Sequence, residues 1–304
     1  MVTRRDFLVG SGAALALGTL PALHAVAGES LIRKAIPASG ERLPAIGMGT
    51  WQTFHVGTGE EERAPLREVL EIFFGRGGTL IDSSPMYADA ETVTGDLVAE
   101  LGEHERLFSA TKVWTYGREE GKAQMERSFE RMRVEQMDLM QVHNLRDWQL
   151  HLPVLREWQE AGRIRYIGIT TSNPAQYEEF ARVMEDETLD FVQLNYDIST
   201  REAEAVLLPL AADRGMAVLV NRPFGGGNLF PRVRGRPLPE WAGEFDCESW
   251  AQFFLKFVIS HPSVTCAIPA TSNPRHAADN MGALVGRLPD AAMRERMARY
   301  LEAL

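Results

Sequence analysis

Cysteine is scarce in this sequence of 304 residues, with Cys247 and Cys266 as its two examples. Neither belongs to a CxxC pair or to a Cys/His cluster with the spacing of zinc ligands, so no metal centre is predicted. Cys266 lies in the apolar run VTCAI, which is typical of a buried strand. We therefore expect two separate thiols, although spacing alone leaves open whether they pair.

Excess positive charge and long apolar runs are also lacking. Lys and Arg total 32 against 42 Asp and Glu, so the net charge is −10. This balance argues against a general nucleic-acid binder, because such proteins need basic patches to neutralise phosphates. After residue 27, no apolar stretch is long enough to cross a bilayer. The sequence thus predicts no nucleic-acid partner and no stable membrane span.

The N-terminus has the three parts of a signal peptide. These are a charged start at 3–8 (TRRDFL), an apolar stretch diluted by Gly and Ala at 9–23, and a small-x-small site at 25–27 (AVA). The pair Arg4-Arg5 resembles the twin-arginine signal, whose export machinery carries folded proteins. We predict a signal peptide at 1–27, a mature chain at 28–304 and a periplasmic location. An ordinary amphipathic start or an uncleaved anchor is the alternative.

The rest of the chain alternates short apolar runs with longer amphipathic segments, which is the pattern of βα units. Strands are predicted at 45–49, 79–82, 107–113, 137–143, 165–170, 191–196, 217–222 and 264–269. Helices are predicted at 62–75, 90–102, 119–133, 148–161, 174–185, 201–213, 248–260 and 274–284. A β-hairpin around Ala38-Ser39-Gly40 precedes the first unit, and an extra helix at 288–304 follows the last.

Eight such units predict one α/β domain, a (β/α)8 TIM barrel with an N-terminal hairpin and an extra C-terminal helix. The main rival is a doubly wound open sheet, which normally has a G-x-G-x-x-G loop after its first strand. Here the first strand ends in GMGTW (47–51), and Phe54 and His55 occupy the region of the third glycine. The barrel is therefore favoured.

Titratable residues stand at the ends of three predicted strands. Asp82, Lys112 and His143 end the second, third and fourth strands, and Tyr87 follows Asp82 by five residues. Each has a structural alternative, as a helix cap, a solvated lysine or a satisfied core histidine. In a barrel, however, the carboxyl ends of the strands face one active site, so the four together are better explained by shared chemistry.

The segments around these residues resemble the aldo-keto reductase family. The matching blocks are IDSSPMYADAETVTG (81–95), SATKV (109–113), RSFERMRVEQMDLMQVHN (127–144), GMGTW (47–51) and IPATSNPRHAADN (268–280). The likeness extends over residues 45–285. It implies a reductase of aldehydes or ketones that depends on a nicotinamide coenzyme, with Asp82, Tyr87, Lys112 and His143 as catalytic residues.

The chemistry explains why these residue types occur together. Carbonyl reduction places a hydride on carbon and charge on oxygen, so a proton donor must lie beside the oxygen. Tyr87 is the predicted donor, and Lys112, kept charged by Asp82, is expected to lower the phenol pKa from about 10. His143 is expected to donate a hydrogen bond to the developing oxyanion. The hydride must come from a coenzyme, because no side chain supplies one.

The resemblance also implies a coenzyme site, although this chain departs from the family there. Asn221 and Arg222 stand where the family often has a tyrosine that stacks on the nicotinamide, and Ala270 stands where a lysine binds the 2′-phosphate. NADP is the first expectation, and NAD remains possible. The predicted coenzyme residues are Thr50, Thr170, Thr171, Gln193, Asn221, Arg222, Gly225, Thr271, Arg275, His276, Asp279 and Asn280. The predicted substrate pocket contains Trp51, His55 and Trp114.

The sequence therefore predicts an exported NADP(H)-dependent carbonyl reductase whose substrate and oligomeric state are open. The altered stacking and phosphate positions keep a second hypothesis open, a nicotinamide-binding sensor or accessory subunit with little turnover. A third is an unrelated barrel lyase or isomerase, which needs no nicotinamide.

Overall fold

The computed structural model describes residues 30–304, so the predicted signal peptide at 1–27 lies outside the described residues. The described chain begins with an antiparallel hairpin, β1 (Arg33–Ala35) paired with β2 (Arg42–Pro44), as predicted. Ile36 and Leu43 of this hairpin are buried with residues from inside the barrel. The hairpin therefore closes the end of the barrel at which the strands begin.

Eight parallel strands follow, and each pairs with the next along the chain. They are β3 (Met48–Gly49), β4 (Leu80–Asp82), β5 (Phe108–Val113), β6 (Met137–His143), β7 (Ile164–Thr170), β8 (Phe191–Asn195), β9 (Ala217–Asn221) and β10 (Cys266–Ala267). Parallel bridges join Ile46 to Ala267 and Gly49 to Ala270, so the first and last strands also meet. The predicted (β/α)8 barrel is confirmed.

The first and last strands are shorter than the predicted runs 45–49 and 264–269. Ala45 and Pro269, outside the assigned strands, still take part in the closure, because their carbonyl oxygens accept the N–H groups of Ala267 and Gly49 at 2.9 and 3.1 Å. At Gly49 the two ends approach closely, because an added Cβ would lie 2.9 Å from the carbonyl oxygen of Ile268. Glycine is therefore required where the barrel closes.

Within residues 30–304, ten α-helices surround the barrel or follow it. They are α1 (Glu60–Gly75), α2 (Ala90–Leu101), α3 (Arg118–Met132), α4 (Trp148–Glu160), α5 (Tyr177–Asp186), α6 (Leu207–Asp213), α7 (Leu229–Val233), α8 (Trp250–Ile259), α9 (Pro274–Gly282) and α10 (Ala291–Glu302). The predicted extra C-terminal helix is α10, which begins where the Asp290 carboxylate accepts a hydrogen bond from the N–H of Met293.

Two predicted helices are divided. The stretch predicted as a helix at 201–213 forms a 3₁₀ turn at Glu202–Glu204 and then α6, because the ring of Pro209 is tolerated only in the first turn of an α-helix. The stretch at 174–185 likewise begins with a 3₁₀ turn at Pro174–Gln176 before α5. The short helix α7 was not predicted.

Side chains of the barrel strands alternate between two environments. Alternate residues such as Leu80, Phe108 and Leu139 point inward and form the core that contacts the hairpin. Their strand neighbours, such as Ile81 and Met140, pack against the helices. Within residues 30–304, no helix is long and apolar enough to cross a membrane. Cys247 and Cys266 are both buried, and they form no disulfide.

Candidate active site

At the carboxyl ends of the strands, several of the side chains that point into the barrel are polar. Lys112 is in register with Gln141, and His143 is in register with Thr170, which is itself in register with Gln193. These ends surround a cavity of about 500 Å³. Among the predicted residues, its lining includes Thr50, Trp51, Asp82, Tyr87, Lys112, His143, Thr170, Gln193, Asn221 and Arg222.

A buried ion pair forms the floor of this cavity. Lys112 Nζ donates to Asp82 Oδ2 at 2.6 Å and to the carbonyl oxygen of Ser83 at 2.6 Å, and the side chains of the pair are 1% and 3% exposed. Gln141 Nε2 donates to the other Asp82 oxygen at 3.3 Å. Burial alone would lower the pKa of Lys112, but Asp82 and Tyr87 outweigh it and raise that pKa. Lys112 is therefore a fixed cation.

Tyr87 lies directly above this cation. Lys112 Nζ is 5.2 Å from the centroid of its ring, and the Tyr87 N–H donates to the carbonyl oxygen of Ser84 at 2.9 Å. Burial raises the pKa of Tyr87, and the opposing effect of Lys112 does not cancel it. Lys112 does act to lower this pKa, as expected, but the loss of water around the ring has the larger effect, so the net shift is upward. At neutral pH the phenol keeps its proton, as a donor must.

His143 stands beside Tyr87, with the two ring centroids 5.9 Å apart and the rings edge to face. Burial, and then Lys112 and Arg146, lower the pKa of His143 well below its usual range, so the imidazole is neutral. Ser84 Oγ is 3.1 Å from His143 Nδ1 and also accepts the N–H of Met86 at 3.4 Å. The tautomer with its proton on Nε2 lets the Ser84 hydroxyl donate to Nδ1 and leaves Nε2–H as a donor, and we assign His143 this tautomer.

Amide oxygens of Gln141, Gln193, Asn195 and Asn221, near the carboxyl ends of the strands, are buried without a partner among the described residues. Two of them, Gln193 and Asn221, belong to the predicted coenzyme residues. Gln193 Nε2 donates to Asp82 at 3.2 Å, and Asn221 Nδ2 donates to the carbonyl oxygen of Thr171 at 3.4 Å. The amide oxygens of both side chains are buried and have no hydrogen-bond partner among the described residues. Buried acceptors without donors are costly, so this pair fits a ligand that brings an N–H group.

A glycine-rich turn borders the same cavity. Gly225, Gly226 and Gly227 all have positive φ, of 59°, 64° and 93°, and the last two line the cavity. Arg222 also has a positive φ of 49°, and its guanidinium lies 5.4 Å from the centroid of the Trp51 ring. The N–H groups of Gly225 and Gly227 already donate to the carbonyl oxygens of Arg222 and Phe224, at 2.8 and 2.9 Å. The glycines therefore let a ligand approach the backbone closely, and the Arg222 guanidinium is the group at this rim that suits a phosphate.

The remaining predicted coenzyme residues lie outside the cavity lining. Thr171 Oγ1 bonds Gln176 at 2.7 Å and so builds its own loop. Asp279 accepts a hydrogen bond from Gln252 of α8 at 2.9 Å. Thr271 and Asn280 are buried, whereas Arg275 and His276 are exposed on the first turn of α9, close in sequence to Ala270 of the lining.

The three predicted pocket residues are placed differently. Trp51 lines the cavity and is 40% exposed. The His55 side chain is 60% exposed and lies 3.4 Å from Asp89, outside the lining. Trp114 lies behind His143, with 6.4 Å between ring centroids.

Sequence reasoning missed several residues that contribute to the site. Gln141 lies two residues before His143, so the period of the strand was enough to predict that it points inward. Ser84 lies two residues after Asp82, in a loop whose course the sequence does not define. Met86, Asn144, Phe224 and Phe230 also line the cavity. Among residues 30–304, no group of three or more His, Cys, Asp or Glu side chains could hold a metal ion.

Comparison with known proteins places this site in a family. The sequence matches the family described as "Aldo/keto reductase family" over residues 45–298. The methylglyoxal reductase YeaE of Escherichia coli (strain K12) is 29% identical over 271 residues, which cover 86% of this chain and 93% of that protein.

Two solved structures share the barrel. An aldo-keto reductase of Klebsiella pneumoniae in complex with NADPH has a TM-score of 0.73 at 23% identity, covering 89% of this chain and 96% of that one. An aldo/keto reductase of the same organism in complex with NADP and acetate has a TM-score of 0.69 at 23% identity, covering 86% of this chain and 93% of that one. At this identity the likeness establishes the fold.

Proposed function

We propose that this chain, which belongs to the aldo/keto reductase family, reduces an aldehyde or ketone to an alcohol with NADPH. The observation that carries the proposal is the buried pair of Lys112 and Asp82, 2.6 Å apart beneath Tyr87 and next to a neutral His143. A buried ion pair at a strand end is poorly explained by stability, because burying two charges costs about as much as their attraction returns. It is well explained by a proton transfer directly above it.

The residues present fit a nicotinamide coenzyme. The unpaired oxygens of Gln193 and Asn221 suit the NH2 of a carboxamide. Arg222 and the turn at 225–227 suit a pyrophosphate, and Arg275 and His276 suit a 2′-phosphate. When bound, the reduced coenzyme supplies the hydride. NADP and NADPH occupy the two Klebsiella pneumoniae structures, which supports NADP as the first choice here.

The side chains of the site supply the proton and orient the carbonyl. The Tyr87 hydroxyl gives its proton to the carbonyl oxygen as the hydride reaches the carbonyl carbon, and water then returns a proton to the phenolate. Lys112 stabilises the phenolate between these events, and Asp82 keeps Lys112 in place. His143 donates from Nε2 to the same oxygen and directs it toward Tyr87.

Steady oxidation of NADPH at 340 nm tests the proposal. Purified residues 28–304 are given a panel of neutral and charged aldehydes and ketones with NADPH and, separately, with NADH. We expect turnover with at least one carbonyl and faster turnover with NADPH. Quenched tryptophan fluorescence on adding NADPH, with no turnover on any carbonyl, would favour the sensor or accessory subunit. No binding of either coenzyme would favour a lyase or isomerase.

We further propose that the protein is exported after it folds. The supporting observation is the twin-arginine pattern Arg4-Arg5 ahead of an apolar stretch and the AVA site at 25–27. A coenzyme bound before export would stabilise the folded barrel by mass action. We expect protein from the periplasm to carry a nicotinamide dinucleotide, and the double change Arg4→Lys with Arg5→Lys to leave precursor in the cytoplasm. Periplasmic protein without dinucleotide, exported despite both lysines, would contradict this.

A further inference from the structure

Two arginines of this barrel are stacked on aromatic rings in the same way. The guanidinium carbon of Arg146 lies 4.1 Å from the centroid of Trp114 and 4.5 Å from that of Tyr116. The guanidinium carbon of Arg163 lies 3.9 Å from the centroid of Trp158 and 5.2 Å from that of Phe129. Stacking fixes the plane of a guanidinium and leaves its N–H edge free to bind oxygen atoms.

The two arginines differ in what meets that edge. Arg163 donates to both carboxylate oxygens of Glu126, at 2.8 and 2.6 Å. The guanidinium of Arg146 has no hydrogen bond and no ion pair with any of residues 30–304. Arg163 thus has a carboxylate partner within the fold, whereas Arg146 is stacked in the same way and has no carboxylate partner among the described residues.

The loop that carries Arg146 is strained. Asn144, Leu145 and Asp147 all have positive φ, of 52°, 54° and 47°, a backbone conformation that residues other than glycine rarely adopt. The Asp147 carboxylate accepts the N–H of Gly117 at 2.8 Å, and the Asn144 carbonyl accepts a hydrogen bond from Gln176 at 3.0 Å. Such strain persists only where the surroundings impose it, and it concentrates at functional sites.

Arg146 is also close to the reacting groups. The backbone N–H of Arg146 donates to the carbonyl oxygen of His143 at 3.2 Å. The ring of Trp114, on which the Arg146 guanidinium stacks, has its centroid 6.4 Å from that of His143. Arg146 lies beside the cavity, whose lining includes the neighbouring Asn144, rather than in the lining itself. The cation of the lining without an acidic partner is Arg222, which lies beside the glycine turn proposed for the coenzyme pyrophosphate. Arg146 is therefore the cation that remains for the substrate.

We infer that Arg146 binds an oxyanion of the substrate, so that the preferred substrates are carbonyl compounds carrying a carboxylate or phosphate group. The inference rests on the proposed reductase function and adds its substrate class. The anionic group takes no part in the reaction: the hydride comes from the reduced coenzyme, the proton comes from Tyr87, and the oxyanion stays unchanged on Arg146.

Matched pairs of aldehydes test this inference. Succinic semialdehyde against butanal tests a carboxylate, and 4-formylphenyl phosphate against 4-methylbenzaldehyde tests a phosphate. We expect kcat/KM to favour the anionic member of at least one pair, and the pair that shows the preference identifies the group. Arg146→Gln should reduce that ratio by about 10- to 100-fold, chiefly through KM, since a charge-assisted contact is lost. Arg146→Lys should keep part of it.

Arg163→Gln is the matched control, because it removes an arginine with the same stacking at the other end of the barrel. We expect it to leave the ratio unchanged. A wild-type enzyme with no preference for either anionic aldehyde would overturn the inference, as would an Arg146→Gln variant that loses equal activity on both members of a pair. NADPH affinity and the unfolding midpoint of each variant show whether it is folded.

A binding measurement separates failure of this inference from failure of the proposed function. Succinate and phenyl phosphate, which cannot be reduced, are titrated while tryptophan fluorescence is followed. If no carbonyl is turned over, the proposed reductase function fails, yet binding that weakens about tenfold or more in Arg146→Gln still supports an anion site at Arg146. Equal binding by wild type and variant would exclude that site.

Discussion

The arginines at the two ends of the barrel differ in whether they have acidic partners within the chain. At the end where the strands begin, Arg165 pairs with Asp138 at 2.5 Å and with Glu41 of the hairpin turn, and the Tyr166 hydroxyl donates to Glu41 at 2.7 Å. At the end where the strands finish, Arg146 and Arg222 have no acidic partner among the described residues.

Arg165, whose partners belong to the chain, holds the hairpin against the barrel. A charge pair also occurs at the other end, between Lys112 and Asp82, so the contrast concerns the arginines. Charges without partners are of little use to the folded chain alone, so they indicate ligands that come from outside. The carboxyl end of a parallel barrel is also where binding residues are expected, because the loops that follow the strands converge there.

Two tyrosines, one at each end, give the largest expected contrast. Tyr87→Phe removes the proposed proton donor and should reduce kcat on the order of 10²–10⁴-fold, while coenzyme affinity stays nearly intact. Tyr166→Phe removes a hydrogen bond to Glu41 and should lower the free energy of unfolding by about 1–2 kcal/mol without changing kcat. Steady-state kinetics and urea unfolding of both variants measure this. A Tyr87→Phe enzyme with most of its turnover would remove Tyr87 from the mechanism.

Ser84 allows a test of how His143 is oriented. Ser84→Ala removes the hydrogen bond to Nδ1, so the imidazole is free to place its proton on either nitrogen, and kcat should fall by about tenfold. Because the lost bond favoured the neutral ring, the acid limb of the pH–kcat profile should also move to higher pH. Ser84→Thr keeps the hydroxyl and should restore both. A lower kcat with an unmoved acid limb would mean that Ser84 acts only on structure.

Coenzyme preference should respond to charge at position 270. Ala270→Lys should increase the preference for NADPH over NADH by about tenfold, which is the contribution of one partly exposed charge-assisted contact. Ala270→Met is the control, since it adds similar bulk without charge. Dissociation constants for both coenzymes measure the effect, and an unchanged ratio in the lysine variant would show that the 2′-phosphate binds elsewhere.

His261 allows a test of stability alone, near the hairpin end, where its carbonyl oxygen accepts a hydrogen bond from Lys34 at 3.0 Å. Burial, and then Arg294, lower the pKa of His261 from 6.5 to about 4. The unfolded chain therefore binds more protons between these values, and the free energy of unfolding falls as the pH decreases through that range. His261→Gln should reduce this fall without altering kcat at neutral pH. Urea unfolding at pH 7.5 and 4.5 compares the two proteins, and an equal fall in both would contradict the prediction.

The barrel and the clustering of Asp82, Tyr87, Lys112 and His143 at one cavity were predictable because both depend on local repeats. Alternation with a period of two, interrupted by amphipathic segments, indicated eight strands, and the polar residue ending each strand had to face the common cavity. Pro209 was also visible in the sequence, and a stricter use of it would have divided the helix predicted at 201–213.

Other features depend on distant contacts that no local pattern records. The Asp279 side chain bonds Gln252 of another helix. The pKa of Tyr87 depends on how completely the surrounding elements exclude water. The left-handed residues around Arg146 carry no glycine that would have marked the turn.

The N-terminal hairpin, which closes one end of the barrel, determines how ligands reach the site. Since Ile36 and Leu43 fill the opposite end, a ligand can reach Tyr87 only through the mouth framed by the strand-to-helix loops. Coenzyme, substrate and product must then enter and leave through the same opening. On the proposed function, a substrate that entered first would stand in the path of the larger coenzyme. We therefore expect the coenzyme to bind before the substrate and to leave after the alcohol.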